Sequence, residues 1–189
     1  MRLRGRHRTR LRGRAARAGA AVAAALASAL LAGCSSAPAP SAPAGGTAAG
    51  APALQPPSPE VRQAYDAYWA AWLAANRTPD PQDPAIERVA TGRQLQELRD
   101  NLAHSRSAGQ VLLGEVGHRI DGVESPGPRS LILHDCVDLD RWLIHDTRTG
   151  RPVDQLQDKP SQMGAFTLTR ENEGEPWRVS SLQVIGENC

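Results

Sequence analysis

The side chains with chemical potential are three cysteines, at positions 34, 136 and 189, and a set of histidines and aspartates near the apolar stretch Leu131 to Trp142. His118, His134 and His145, with Asp135 and Asp138, are the donor types of a transition-metal site. Their spacing argues against one, because there is no His-x-His pair and no helical His-x-x-x-His, and neighbours 134 and 135 of a strand point to opposite faces. No metal and no cofactor is expected. A Ser-His-Asp elbow, a phosphate loop and a Cys-His nucleophile signature are also lacking.

The stretch that carries these groups must be a strand. Leu131, Leu133 and Asp135 fall on one face and Ile132, His134 and Cys136 on the other. Both faces carry apolar groups, which places the strand inside a sheet.

Charge divides the chain. It holds 22 basic and 20 acidic residues, but eight arginines, at positions 2, 4, 6, 8, 10, 12, 14 and 17, precede every acidic residue. From Cys34 onward 14 basic residues face 20 acidic ones, a net of −6, and the 13 Arg and one Lys are scattered singly. No basic patch remains to hold nucleic acid. The Arg-rich start followed by the uncharged run Ala18 to Leu31 reads as an export signal over residues 1–33, too short for a membrane span of about 20 residues. With no Arg-Arg pair, the general secretory route is expected.

The signal ends in Leu31-Ala32-Gly33-Cys34, which resembles the lipobox of bacterial lipoproteins. That resemblance implies that Cys34 accepts a diacylglycerol and becomes the first mature residue. Acyl chains contribute about 0.8 kcal/mol per buried methylene, so multiple acylation with palmitate-like chains anchors the protein to the extracytoplasmic face of the cell membrane. Residues 34–59, rich in Pro, Ala, Gly and Ser, then form a disordered tether. With Cys34 acylated, two thiols remain in an oxidising compartment, and the even remainder suggests a disulfide between Cys136 and Cys189. The alternative is a buried free Cys136 and a frayed Cys189.

Residues 60–189 are the foldable part. Val61, Tyr65, Tyr68 and Trp72 recur at helical spacing with Trp69 beside them, predicting a helix from Pro59 to about Asn76 that prolines 79, 81 and 84 terminate. A short turn at Pro84 to Val89 follows. Thr91 with Gln94 reads as a capping box opening a helix that buries Leu95, Leu98 and Leu102 and ends before Gly109. Period two then predicts one long strand from Gln110 to Val123 bent at Gly114 and Gly117, a turn at Ser125 to Pro128, the central strand, a short strand at Trp142 to Asp146, and a loop over 151–162. A hairpin follows, with strands around Phe166 to Arg170 and Trp177 to Ile185. Helices followed by an antiparallel meander give an α+β domain, helices packed on one face of a curved sheet.

The aromatic first helix, Thr-Gly-x-x-Leu-x-x-Leu at 91–98, Asp-Cys-Val-Asp at 135–138, Asp-Thr-Arg-Thr-Gly at 146–150 and the closing Trp-Arg-Val-Ser resemble secreted lipoproteins of actinobacteria. Those are similar to the NTF2-like (cystatin-like, SnoaL-like) superfamily, which implies a cone-shaped domain over residues 60–189. By analogy with ketosteroid isomerases and polyketide cyclases of that superfamily, Asp135 with Tyr65 or Tyr68 would act as general base and oxyanion donor in an apolar cone. The family's catalytic pattern does not map onto this chain residue by residue.

Two functions are therefore expected to compete. The first is a non-enzymatic envelope lipoprotein that binds a partner protein or a small apolar ligand, with Tyr65, Tyr68, Trp69 and Trp72 lining any pocket. The alternative is a cone-pocket isomerase, cyclase or lyase built on Asp135.

Overall fold

A computed structural model describes residues 53–153, 155 and 158–189. The export signal, the acylation site at Cys34 and most of the tether lie outside the described residues. Among those described, the chain is α+β: α1 (Pro59–Arg77), α2 (Pro84–Val89) and α3 (Gly92–Ala108) precede β1 (Gln110–Gly114), β2 (Gly117–Gly127), β3 (Ser130–Asp138), β4 (Trp142–Asp146), β5 (Gln162–Thr169) and β6 (Arg178–Glu187). An antiparallel four-stranded sheet runs β2-β3-β5-β6, and β1 pairs with β4 in a separate two-stranded ribbon.

Helix α1 forms where the aromatic stripe predicts. Ser58 caps it by accepting from the Val61 amide at 3.3 Å, Pro59 occupies the first turn, and Val61, Tyr65, Tyr68, Trp69 and Trp72 face the core. At α3 the expected capping box does not form. The Thr91 side chain makes no cap bond, its amide is taken by the Val179 carbonyl at 2.9 Å, and Gln94 turns inward instead. Gly109, at φ 65°, ends the helix in the left-handed conformation that favours glycine.

The long strand predicted over 110–123 is two strands in two sheets. A Cβ on Gly114 would meet the Arg141 carbonyl, so the β1–β4 ribbon closes there and the chain departs to begin β2 at Gly117. Strand β2 in turn runs through Pro126 to Gly127, past the expected turn, with its register shifting between Glu124 and Gly127. Prolines and glycines are tolerated there because β2 lies at the sheet edge.

Strand β3 lies between β2 and β5, as its two-faced apolar pattern requires. Leu131, Leu133, Asp135 and Val137 are buried, and their β5 and β2 neighbours in register include Phe166, Gly164, Ile120 and His118. Each edge strand of the sheet is met at one position by an isolated backbone bridge, Gln55 to Val123 on β2 and Ala90 to Val179 on β6. Each bridge covers one position of its edge strand. Gly122, at φ 148°, makes the first bridge possible, since a Cβ there would come within 2.7 Å of Leu54.

Cys136 and Cys189 are bridged, with Cα atoms 5.7 Å apart. The bridge reaches past β5, which lies between β3 and β6. The bridge closes because the chain turns back after β6 at Asn188, whose amide donates to the Ser161 carbonyl at 2.8 Å.

Candidate functional site

The inner face of the sheet carries a polar cluster around Asp135, whose His118 side chain is partly exposed, and beside it an aromatic cavity beyond Phe166. Each is set by strand register and by the i, i+3, i+4 spacing of α1.

Asp135 is fully buried. Its Oδ2 accepts the Tyr65 hydroxyl proton at 2.8 Å and lies 2.6 Å from His118 Nδ1, while Oδ1 has no partner among the described residues. The predicted acid–tyrosine pair is thus brought together, but each group is spent on the other. Tyr65 aims its proton at the carboxylate, not at a space a substrate could enter. Burial, and next the Asp135 carboxylate, push the Tyr65 hydroxyl far above its ordinary pKa. Tyr68 stands apart from this cluster; it too is pushed up by burial, partly opposed by the Gln94 amide, which donates to its hydroxyl at 2.8 Å.

The three histidines are dispersed. His118 joins Asp135, His134 Nε2 lies 3.0 Å from Glu124 Oε1, and His145 Nδ1 lies 3.3 Å from the Gly150 carbonyl. Asp138 Oδ1 accepts from the Asp140 amide at 2.9 Å, a turn-forming role. Among the described residues no group of three or more His, Cys, Asp or Glu side chains is placed to hold a metal.

The cavity encloses about 230 Å³ between α1, α3 and the sheet. Tyr68, Trp69 and Trp72 line it, as does Trp142, whose ring meets Trp72 edge-on at 6.1 Å. Tyr65 is not among its lining residues; it sits behind Phe166, ring centroids 5.0 Å apart. Gly164 makes room for the Phe166 ring, because a Cβ there would fall 2.6 Å from Phe166 Cε2. Val184, 53% exposed, also borders the cavity and places it at the protein surface.

Gln94 and Trp69, both in the cavity wall, carry fully buried polar atoms. Gln94 Oε1 is buried with no hydrogen-bond partner among the described residues, at a cost of about 1–3 kcal/mol if nothing fills the need, while Trp69 Nε1, without a regular hydrogen bond, is set against the Tyr65 side chain and opposes the rise of its pKa. Sequence reasoning places Gln94 in a cap and misses it as a cavity residue. The signal was the i, i+4 row Gln94, Leu98, Leu102, which puts the glutamine on the buried side of α3. His118 is missed as the partner of Asp135 because the face it occupies depends on where β2 starts.

No protein-family model matches this chain, and no curated protein matches it. Among solved structures, it is similar to the intermembrane-space region of the chloroplast protein ARC6, at 14% identity and a TM-score of 0.41, covering 68% of this chain and 98% of that one. It is also similar to a de novo designed β-sheet protein, at 15% identity and a TM-score of 0.28, covering 67% of this chain and 87% of the design.

Proposed function

We propose that residues 60–189 form an NTF2-like cone that binds a small, largely apolar molecule without transforming it. In this reading the chain is cleaved before Cys34, acylated there, and held on the extracytoplasmic face of the membrane by its tether. The anchor rests on the Leu31-Ala32-Gly33-Cys34 motif; among the described residues no helix is long and apolar enough to cross a membrane.

One observation carries the binding assignment: a hollow of about 230 Å³ walled by aromatic rings, with the buried carboxylate absent from its lining. Apolar cavities with a few placed polar groups are the usual form of small-molecule sites. Three of the chain's four tryptophans, Trp69, Trp72 and Trp142, line it, so occupancy should change the intrinsic fluorescence. Titration of the full chain with naphthalene, followed by tryptophan emission and by saturation-transfer NMR, tests the reading. Saturable binding supports it, and absence of both signals at the solubility limit refutes it.

The 2.8 Å contact of Tyr65 with Asp135 favours a second reading, the cone-pocket isomerase, cyclase or lyase. Against it, a general base must reach the proton it removes. Asp135 is fully buried, and its bonded oxygen is shared between Tyr65 and His118.

A further inference from the structure

The mouth of the cavity carries a charge that its walls lack, and this inference rests on the binding function proposed above. Among the lining residues Glu97 is the one charged side chain, and no Lys, Arg or His joins it. It stands on α3 one turn before Asn101, which also borders the space. Exposure separates these two from the walls. The Glu97 side chain is 44% exposed and Asn101 is exposed, as is Val184, whereas Tyr68, Trp69, Trp72 and Phe166 are buried. The carboxylate therefore sits at the rim of an apolar hollow.

Arg93 Nε donates to Glu97 Oε1 at 2.8 Å, but Arg93 does not line the cavity and its side chain is 62% exposed. Such solvated pairs are weak and exchangeable. The field of the carboxylate does reach inward: burial raises the pKa of the Tyr68 hydroxyl most, the Gln94 amide opposes the rise, and the Glu97 charge adds to it. An anion in the hollow would meet the same repulsion. A cation would meet attraction, with no positive side chain in the lining to oppose it. From Cys34 onward, 14 basic residues against 20 acidic ones act in the same sense. At the packing density of protein interiors, about 0.75, the 230 Å³ space holds on the order of a dozen non-hydrogen atoms. We propose that the site takes an aryl-alkyl ammonium ion, its one or two rings held among the buried aromatic side chains and its ammonium group at the rim, where it exchanges with Arg93 for the Glu97 carboxylate. An ammonium group at the rim keeps part of its hydration, which avoids the cost of burying a charge.

Probes of one shape and three charges separate this from simple apolar binding. 2-Naphthylmethylamine, a cation at neutral pH, the neutral 2-naphthylmethanol and the anionic 2-naphthoate are titrated into the full chain at low ionic strength by calorimetry and saturation-transfer NMR. The amine should bind about threefold more tightly than the alcohol, within the range of exposed ion pairs, and the naphthoate most weakly. Salt at about 1 M, which shortens the screening length to about 3 Å, should erase the advantage. Glu97→Gln should bring the amine to the affinity of the alcohol, and Arg93→Ala, which removes the competitor, should strengthen amine binding about twofold. Neither substitution should move the alcohol, whereas a merely structural effect would move both probes together. Equal binding of amine and alcohol, an amine advantage that survives Glu97→Gln, or one that Arg93→Ala lowers overturns the cation selectivity; binding of the alcohol then leaves the cavity a site. Failure of every probe to bind refutes the binding function itself.

Discussion

Raising the pH should unfold this domain through its two tyrosines. Tyr65 and Tyr68 are the chain's complete tyrosine content, and both are buried, at 1% and 2% exposure. Burial holds both hydroxyls neutral far above their ordinary range, reinforced at Tyr65 by Asp135. Folding favours the neutral phenols, so their contribution is fully present below the unfolded-state pKa of about 10 and is lost as the pH rises beyond it. Each tyrosine then withdraws about 1.4 kcal/mol per pH unit, and the pair about 2.7 kcal/mol. Against a domain stability at the lower end of the typical range, about 5 kcal/mol, unfolding should arrive about two units above pH 10 at the full slope, and sooner for a marginal domain. Below the range where the arginines titrate, few other groups confuse the measurement, because Lys159 is the sole lysine and Cys136 and Cys189 are bridged. The assay follows tyrosinate absorbance and far-ultraviolet circular dichroism together as pH is raised. Both should stay flat through pH 10 and then change in a single coincident transition. A smooth tyrosinate titration centred near pH 10, with the dichroism unchanged, would show that at least one phenol is solvated and would refute the sealed-interior account.

The remaining expectations concern the anchor, the bridge and the two polar features. Cys34→Ala should release the chain from membranes or leave it unprocessed; unchanged fractionation and unchanged lipid labelling would end the lipoprotein proposal. Cys136→Ser should lower stability by up to about 4 kcal/mol, the chain-entropy value for a closed loop with 53 residues of separation, read as a lower denaturant midpoint. Asp135→Asn should cost about 1–3 kcal/mol, because the amide must present a donor to one of two groups that now meet a carboxylate, and naphthalene affinity should stay within twofold; a large loss of affinity at retained melting temperature would place Asp135 in the site. Trp72→Ala should destabilise by about 3–5 kcal/mol and weaken naphthalene binding, since the ring is both core and cavity wall.

Much of the frame was legible because it rests on local pattern. The aromatic row of α1, the two-faced apolar run of β3 and the glycine that ends α3 each follow from residue type and spacing alone. Pairing was not legible where a single glycine decides it. Gly114 splits the expected strand because the Arg141 carbonyl, 27 positions away, occupies the space of a Cβ, and nothing local announces that neighbour. The same limit hid His118, whose inward face follows from β2 starting afresh at Gly117 and pairing His118 with Val137. Gln94 was hidden by competition between two local rules. The capping pattern and the buried i, i+4 row both include it, and tertiary packing against Tyr68 decided for the second.

Phe166, the chain's one phenylalanine, and Trp69 stand between the Asp135 cluster and the cavity, and that placement bears on which function the interior can perform. The Phe166 ring packs edge-on against Tyr65 at 5.0 Å, and Phe166 itself lines the cavity. The Asp135 carboxylate is thereby spent on joining α1 to β3 through Tyr65. The cavity lining carries one carboxylate, Glu97, which pairs with Arg93 at 2.8 Å. Proton transfer needs an ionisable group in contact with the reacting atoms, with its conjugate donors aimed where charge develops. Reversible recognition needs the reverse, groups that a ligand can satisfy without moving a proton. With Asp135 engaged by Tyr65 and His118, and the cavity's own Glu97 engaged by Arg93, each carboxylate is already partnered, which supports the proposal of a domain that holds its ligand and releases it unchanged.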